Sequence, residues 1–336
     1  MKITRILVAI SFLFAVSNVN AGELTVTGNM EATYQSSIDG NTGNPLGMDR
    51  ELKFAATTEL DSGITVSVMQ DTTDSLAYSN SQIAFGNIMG MGTIYVGSDS
   101  DPVDSIDDVT PSAYEEANGS GSGTYVDIGS AAAQMGLGFK LALPIVATNL
   151  NYKYYPRMDA VKNGDNSNSG VVNLPNGTGQ SFSMITNFGE IASELTGLSL
   201  TAGIAELETS TITATDNKLE MTAALNYAYG PIKVGYQKKF NALGETVATT
   251  SVAKHKDDVY GIAYAINDAL SVSYNRYDSV RNMDVGANEP QSTTALNIGY
   301  TIGGMSIGFQ DASTDNAGYV KAAKDDTRTL GISVAF

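Results

Sequence analysis

The segment Thr327-Arg-Thr-Leu-Gly-Ile-Ser-Val-Ala-Phe336 decides the fold of this chain. Large apolar residues alternate in it with small or polar ones, and the large ones are Leu330, Ile332, Val334 and Phe336. Successive side chains of a β-strand point to opposite faces. One face of this strand therefore suits lipid and the other suits water, which is the pattern of a transmembrane β-barrel strand.

The same two-residue period recurs from residue 23 onward and predicts sixteen strands. Long polar connections, such as 98–124 and 156–180, alternate with short turns such as 230–231. Antiparallel strands joined in this way place all long connections at one end, as outer-membrane barrels do. A soluble β-sandwich would not sustain this asymmetry, and a β-solenoid would show a fixed repeat length. The sequence therefore predicts an all-β fold, a transmembrane antiparallel β-barrel of 16 strands.

The beginning of the chain predicts export. Lys2 and Arg5 precede an apolar run from residue 6 to 16, and small residues follow near Ala21. This pattern is typical of a secretory signal peptide, which we place at residues 1–21. The barrel domain would then comprise residues 22–336. No later stretch reaches the roughly 18 apolar residues of a membrane helix, and the absence of cysteine is consistent with an oxidising periplasm.

Charge is distributed unevenly along the chain. Between Lys53 and Lys140 there is no Lys or Arg, whereas seven acidic residues lie between Ser98 and Thr124 alone. A barrel of about 16 strands encloses an aqueous channel. Charged residues such as Lys53 and Glu51 can therefore face inward without a large desolvation cost. The formal net charge of −17 disfavours nucleic acid as a partner.

The whole mature chain resembles the trimeric general-diffusion porins of Gram-negative bacteria, in particular those of alphaproteobacteria. The resemblance rests on the signal peptide, the sixteen strands, the loop asymmetry, Phe336, and Phe85-Gly-Asn-Ile88 leading to Gly97-Ser-Asp99 before the acidic loop. It implies a homotrimer in the outer membrane, in contact with lipid and lipopolysaccharide, through which small hydrophilic solutes diffuse. It also implies a third loop that folds into the barrel and narrows the pore. The implied constriction residues are Asp104, Asp107, Asp108, Glu115 and Glu116 on the loop, with Lys53 and Glu51 on the wall.

The chain departs from that family in its basic residues. The family places several arginines on the early strands, opposite the acidic loop, but the third to fifth predicted strands here carry none. Many carboxylates with few opposing cations produce a negative potential that enriches cations. We therefore predict a cation-preferring pore. The alternative is that these acids form only the solvated surface of an external loop.

Other kinds of site are less well supported by the sequence. The single histidine, His255, lies between two lysines in a predicted external loop, so we expect a solvated side chain and no enzymatic activity. No cofactor is predicted. Calcium bridging among the loop acids is an open alternative, although the spacing from Asp99 to Asp104 does not match an EF-hand. A substrate-specific channel and a surface adhesin remain the competing functions.

Overall fold

The computed structural model describes residues 22–37, 43–72, 78–99, 101–119, 125–132, 134–156, 158, 177–208, 217–244, 252–283 and 286–336. These residues form a closed barrel of sixteen antiparallel strands, as the sequence predicts. The first eight strands are β1 (Leu24–Ser37), β2 (Leu46–Glu59), β3 (Thr65–Thr72), β4 (Tyr78–Ile88), β5 (Gly92–Gly97), β6 (Gly136–Leu143), β7 (Thr148–Tyr155) and β8 (Gly179–Asn187). The last eight are β9 (Leu198–Leu207), β10 (Lys218–Tyr229), β11 (Ile232–Ala242), β12 (Val252–Ala265), β13 (Leu270–Met283), β14 (Glu289–Ile302), β15 (Met305–Asp315) and β16 (Lys324–Ala335).

The predicted signal peptide, residues 1–21, lies outside the described residues. Among the residues that are described, no helix is both long enough and apolar enough to cross a membrane.

The barrel closes between its first and last strands. β1 pairs with β16 from Asn29 opposite Ala335 onward. Beyond that pair, the Gly28 N–H donates to the Phe336 carbonyl at 2.9 Å, and the Phe336 N–H donates to the Gly28 carbonyl at 3.0 Å. The Phe336 ring covers Gly28, where a Cβ would lie 2.6 Å from the ring. This pairing leaves no open sheet edge. An open edge would expose unpaired backbone N–H and C=O groups, which are too costly in lipid.

The distribution of side chains is the reverse of that in a soluble protein. On β14, Leu296 and Ile298 point outward and are 53% and 40% exposed, whereas Asn297 between them is fully buried. The same alternation places Gln310 and Thr314 of β15 inside the barrel. An apolar exterior around a polar interior is the arrangement that a strand needs when lipid lies outside and water inside.

The strands differ in length, and short strands lie together on one side of the barrel. β5 has 6 residues and β3, β6 and β7 have 8 each. β12, β13 and β14 have 14 each. The wall is therefore low around β5 and high around β13.

The prediction for His255 is wrong. β12 begins at Val252, so His255 belongs to a strand and not to an external loop, and it is 2% exposed. Its ring faces the barrel interior, where Nδ1 lies 3.1 Å from the Tyr319 hydroxyl. The outward neighbours Lys254 and Lys256 are polar, so the alternation that reveals a strand within the apolar band is lost near its end.

Candidate functional site

The connection between β5 and β6 folds into the barrel and follows its inner wall. Its backbone and side chains contact successive strands on the way. Four contacts trace the path from β8 to β1: Val103 N–H to Ser181 Oγ at 3.2 Å, Val109 N–H to Gln237 Oε1 at 3.3 Å, Ala113 N–H to Ser273 Oγ at 2.9 Å and Tyr114 Oη–H to Glu31 Oε1 at 2.8 Å. The third loop is therefore folded inward, as predicted. It runs along the inner wall from β8 to β1.

The first turn of the loop is built around Asp101, which is almost fully buried. Its Oδ1 accepts the N–H groups of Val103 at 2.8 Å and Asp104 at 2.9 Å. Its Oδ2 accepts the hydroxyl of Tyr155 on β7. A carboxylate that accepts backbone N–H groups two and three residues ahead forms an Asx turn, and a 3₁₀ turn, Asp104–Ile106, follows.

Glycines on the inner wall make room for the loop. A Cβ added at any of six of them would come within 2.7 Å of a loop atom, which real Cβ atoms do not tolerate. These residues are Gly203, Gly235, Gly261, Gly299, Gly308 and Gly331, and the loop residues that they receive are Ile106, Pro111, Ala113 and Tyr114. The wall from β9 to β16 is therefore shaped to dock the loop. Glycines at inward-facing strand positions are a sequence signal for a segment packed against the wall, and the two-residue period alone does not reveal it.

Three carboxylates of the loop converge in front of β11. Atoms of Asp107, Asp108 and Asp127 lie within 4.8 Å of one another. Lys239, whose side chain is fully buried, contacts Asp108 Oδ1 at 2.8 Å and Asp127 Oδ1 at 2.9 Å. One ammonium thus joins the outgoing limb of the loop (residues 101–119) to its returning limb (residues 125–132) and offsets part of their charge. The calcium alternative stays a prediction.

The returning limb has a second anchor on β10. The fully buried carboxylate of Glu220 accepts the Gly129 N–H at 2.9 Å and the Ser130 N–H at 3.1 Å. Lys218 Nζ lies 3.1 Å from Glu220 Oε1 and balances its charge. Nothing in the sequence pattern identifies Glu220 and Lys239 as partners of the loop, because a two-residue period gives the face of a strand but not what lies opposite.

Comparison with known proteins rests on structure alone. No protein-family model and no curated protein sequence matches the chain. Solved structures do match over 94% of the chain: the trimer form of OmpT from Vibrio cholerae (TM-score 0.68, 11% identity, 100% of that chain), OmpF of Salmonella typhi in complex with daunomycin (0.64, 13%, 98%) and the anion-selective porin from Comamonas acidovorans (0.66, 13%, 100%). The chain has the porin fold.

The predicted constriction residues fall into three groups within this porin fold. Asp104 and Asp108 are exposed to the lumen and Asp107 is half-buried. Glu116 is buried and accepts the N–H of Thr110 at 2.7 Å, so it shapes the tip of the loop. The backbone carbonyl of half-buried Glu115 accepts an N–H of the Gln310 side chain at 3.2 Å.

The two predicted wall residues lie on β2. Glu51 is exposed, and the Lys53 side chain is 43% exposed with its Nζ 3.7 Å from Asp71 Oδ2. Asp71 itself is buried, so the attraction of the lysine offsets part of the cost of removing that carboxylate from water. Lys53 therefore lies beside two acids, Glu51 and Asp71, and this part of the wall supplies no net positive charge.

Burial within the porin lumen raises the pKa of several loop carboxyls. Desolvation, followed by the nearby charge of Asp101, raises the pKa of Asp104 to about 6. Desolvation and then Asp108 raise the pKa of Asp107 to about 8, against the opposing effect of Lys239. The same two causes raise the pKa of Glu116 to about 7, although its bonds to Thr110 favour the charged form. Charge on the loop therefore depends on pH near neutrality.

We expect the selectivity of the barrel for potassium over chloride to increase between pH 5 and pH 9. The carboxyls of Asp104 and Asp107 both have a raised pKa, so both are neutral at pH 5. Asp104 becomes negative as the pH passes about 6, and Asp107 as it passes about 8. The measurement is the reversal potential under a KCl gradient at several pH values. Asp104→Asn should flatten the lower part of the profile and Asp107→Asn the upper part. A profile that neither substitution alters would contradict this assignment.

Proposed function

We propose that the protein forms a water-filled channel in the outer membrane of a Gram-negative bacterium, through which small hydrophilic solutes and ions diffuse passively. The observation that carries this proposal is a closed barrel with an apolar exterior, a polar interior and an acidic loop docked across it. Such a channel needs neither an energy source nor a chemical step, so we propose no enzymatic activity. Lipopolysaccharide is the proposed lipid neighbour of the outer surface.

Cation preference follows from the balance of charge along the lumen. Lys239 offsets only one of the two charges of Asp108 and Asp127. Because of their raised pKa values, Asp104 adds a negative charge above about pH 6 and Asp107 adds another above about pH 8. On the wall, Lys53 faces Asp71, and Lys140 lies over the Tyr95 ring at 5.1 Å. A unit charge about 4 Å from an ion contributes about 1 kcal/mol even in bulk water, which corresponds to roughly fivefold in local ion concentration.

Planar-bilayer conductance of the refolded chain tests this proposal. We expect stable steps and a reversal potential that favours potassium over chloride. In the double variant Asp104→Asn, Asp107→Asn the permeability ratio should fall by about fivefold or less at pH 9, following the energy of one or two partly screened charges. Asp268→Asn, at an exposed turn between β12 and β13, is the matched control. Anion preference in the unmodified protein would refute the selectivity, and absence of steps would refute the channel.

A general pore is favoured over a sugar-specific one by the position of the inward tyrosines. Sugar-selective channels present aromatic faces to the water path. Here Tyr95, Tyr155 and Tyr277 point inward but are fully buried against the wall and the loop. Among the described residues these rings therefore act in packing, and they offer no sliding surface to a solute.

We further propose a homotrimer whose subunits meet at the low part of the wall. A spanning strand needs about 9–11 residues, and β5 has 6. The outward residues Phe54, Val68, Ile83 and Val96 near it are apolar and exposed. A second subunit would cover this surface where the strands are too short to match the bilayer. Chemical crosslinking of the protein in membranes would show three-subunit products if this is correct, and single chains if it is not.

A further inference from the structure

A second connection also folds into the barrel, at the end where the long connections lie. It joins β15 to β16, and its Tyr319 is only 4% exposed. The Tyr319 hydroxyl lies 3.1 Å from His255 Nδ1 on β12 and 2.8 Å from Ser279 Oγ on β13. The guanidinium of Arg281 sits 4.9 Å from the centre of the tyrosine ring. This side chain thus reaches from the β15–β16 connection across β14 to two further strands.

The backbone of this connection is shaped to deliver Tyr319. Asn316, Tyr319 and Ala322 have positive φ angles of 54°, 59° and 64°. Residues with a Cβ rarely adopt this region, and they keep it only when surrounding contacts hold them there. The Asn316 side chain provides one such contact by accepting the Ala322 N–H at 2.8 Å. The conformation is therefore imposed by the folded protein, which points to a role for the inserted ring.

The layer beneath Tyr319 belongs to the acidic loop. Tyr125, on the returning limb of that loop, packs against Tyr277 with ring centroids 4.2 Å apart. Its hydroxyl bonds Thr293 Oγ1 and lies 3.3 Å from the Tyr277 carbonyl oxygen. Tyr319 contacts Ser279, which is two positions along β13 from Tyr277. The neighbouring Gly318 contacts Gln291, which is two positions along β14 from Thr293. The layer formed by Tyr125 and Tyr277 therefore lies directly next to the layer of Tyr319 along the barrel wall.

Gln291 connects the two layers. It is 1% exposed, and its Oε1 accepts the N–H of Gly318, the residue before Tyr319, at 2.6 Å. Burial raises the pKa of Tyr125, and the side chains of Thr293 and Gln291 beside its hydroxyl oppose that rise, so Gln291 faces both Gly318 and Tyr125. The Gln291 side chain thus lies between the β15–β16 connection and the returning limb of the acidic loop. Movement of the β15–β16 connection would withdraw a partner from the side chain that supports the returning limb.

We propose that Tyr319 is a positioning residue that holds the returning limb of the acidic loop against the wall, through Gln291, and so helps set the width of the pore. This inference rests on the proposed channel function, and it assigns to a second connection a part in a constriction that the acidic loop forms directly. Tyr319 itself lies above the acidic loop, where it closes the space between that loop and the rim of β12–β14.

A unique thiol on the loop tests the proposal without relying on current. The chain contains no cysteine, so Val126→Cys, next to Tyr125, introduces a single reporter. Its rate of modification by a membrane-impermeant thiol reagent measures how often the limb leaves the wall. We expect Tyr319→Ala to raise that rate by about fivefold or more, and to raise single-channel conductance and current noise. Val320→Ala, at an exposed neighbouring position, should leave all three unchanged.

Coupling through Gln291 is tested by combining substitutions. Gln291→Ala alone should accelerate modification, and adding Tyr319→Ala to it should have little further effect because both act through the same link. Additive effects would overturn the coupling. Tyr319→Phe, which keeps the ring and loses the bonds to His255 and Ser279, guards against misfolding and should produce an intermediate rate. Channels in the unmodified protein with identical thiol rates in all variants would refute this inference alone, whereas a non-conducting unmodified barrel would refute the proposed function.

Discussion

Gly308→Val is expected to open the pore. A Cβ at Gly308 would lie 2.1 Å from the Tyr114 ring, so the ring has to leave its place on β15. Its departure breaks the bond between the Tyr114 hydroxyl and Glu31 and disturbs the two bonds from Gln310 to the loop backbone. Overpacking of this kind costs about 1–3 kcal/mol, which lowers the ratio of docked to undocked loop by about 5- to 150-fold.

The expected readouts are a larger single-channel conductance, passage of larger sugars in liposome-swelling assays and a weaker cation preference. Valine favours β-strands, so the wall itself should persist, and far-UV circular dichroism checks this. Tyr114→Ala is the matched variant, because it removes the ring that the new side chain would strike. If Gly308→Val acts through Tyr114, adding it to Tyr114→Ala should change little more. A conductance equal to that of the unmodified protein would show that the loop tip is not held by this contact.

The number of strands and the position of the acidic loop could be predicted from the sequence because each follows a local rule. Alternation at Leu330, Ile332 and Val334 marks a wall between lipid and water, and the structure confirms that β16 is such a strand. The density of acids after residue 98, with no compensating cation until Lys140, marked the acidic loop, but its entry into the lumen was predicted only from the resemblance to porins.

The ends of the long strands could not be predicted in the same way. Beyond the apolar band the outward residues become polar, as Lys254, Lys256 and Asp258 show on β12. Both faces of the strand then look like a loop, and the period disappears although the backbone pairing continues to Val252 opposite Met283. The incorrect placement of His255 has this physical origin.

The partners of the loop were also beyond a local reading. Lys239 is 131 residues from Asp108 and 112 from Asp127, and only closure of the barrel brings them together. Sequence spacing shows that Lys239 faces inward from β11. It does not show that the loop crosses the lumen at that height, which depends on the glycines at positions 203, 235 and 261 of the wall.

Lys239→Met is expected to release the centre of the acidic loop. The ammonium contacts Asp108 and Asp127 and lies 5.3 Å from the centre of the Tyr277 ring. Removing one partner of a buried ion pair costs about 3–5 kcal/mol. Asp108 and Asp127 keep some access to water, so the lower end of that range applies here. Methionine fills a similar volume, so the loss is one of charge and hydrogen bonds.

Without this ammonium, three carboxylates that lie within 4.8 Å of one another repel each other, and the two limbs of the loop separate. Single-channel recordings should then show several unstable conductance levels in place of one steady level, with a stronger preference for cations because a positive charge has gone. Adding Asp108→Asn and Asp127→Asn to Lys239→Met removes the repulsion at almost constant shape and should restore a steady level. A single steady level in Lys239→Met itself would mean that Glu220 and the tyrosine layers alone are enough to dock the loop.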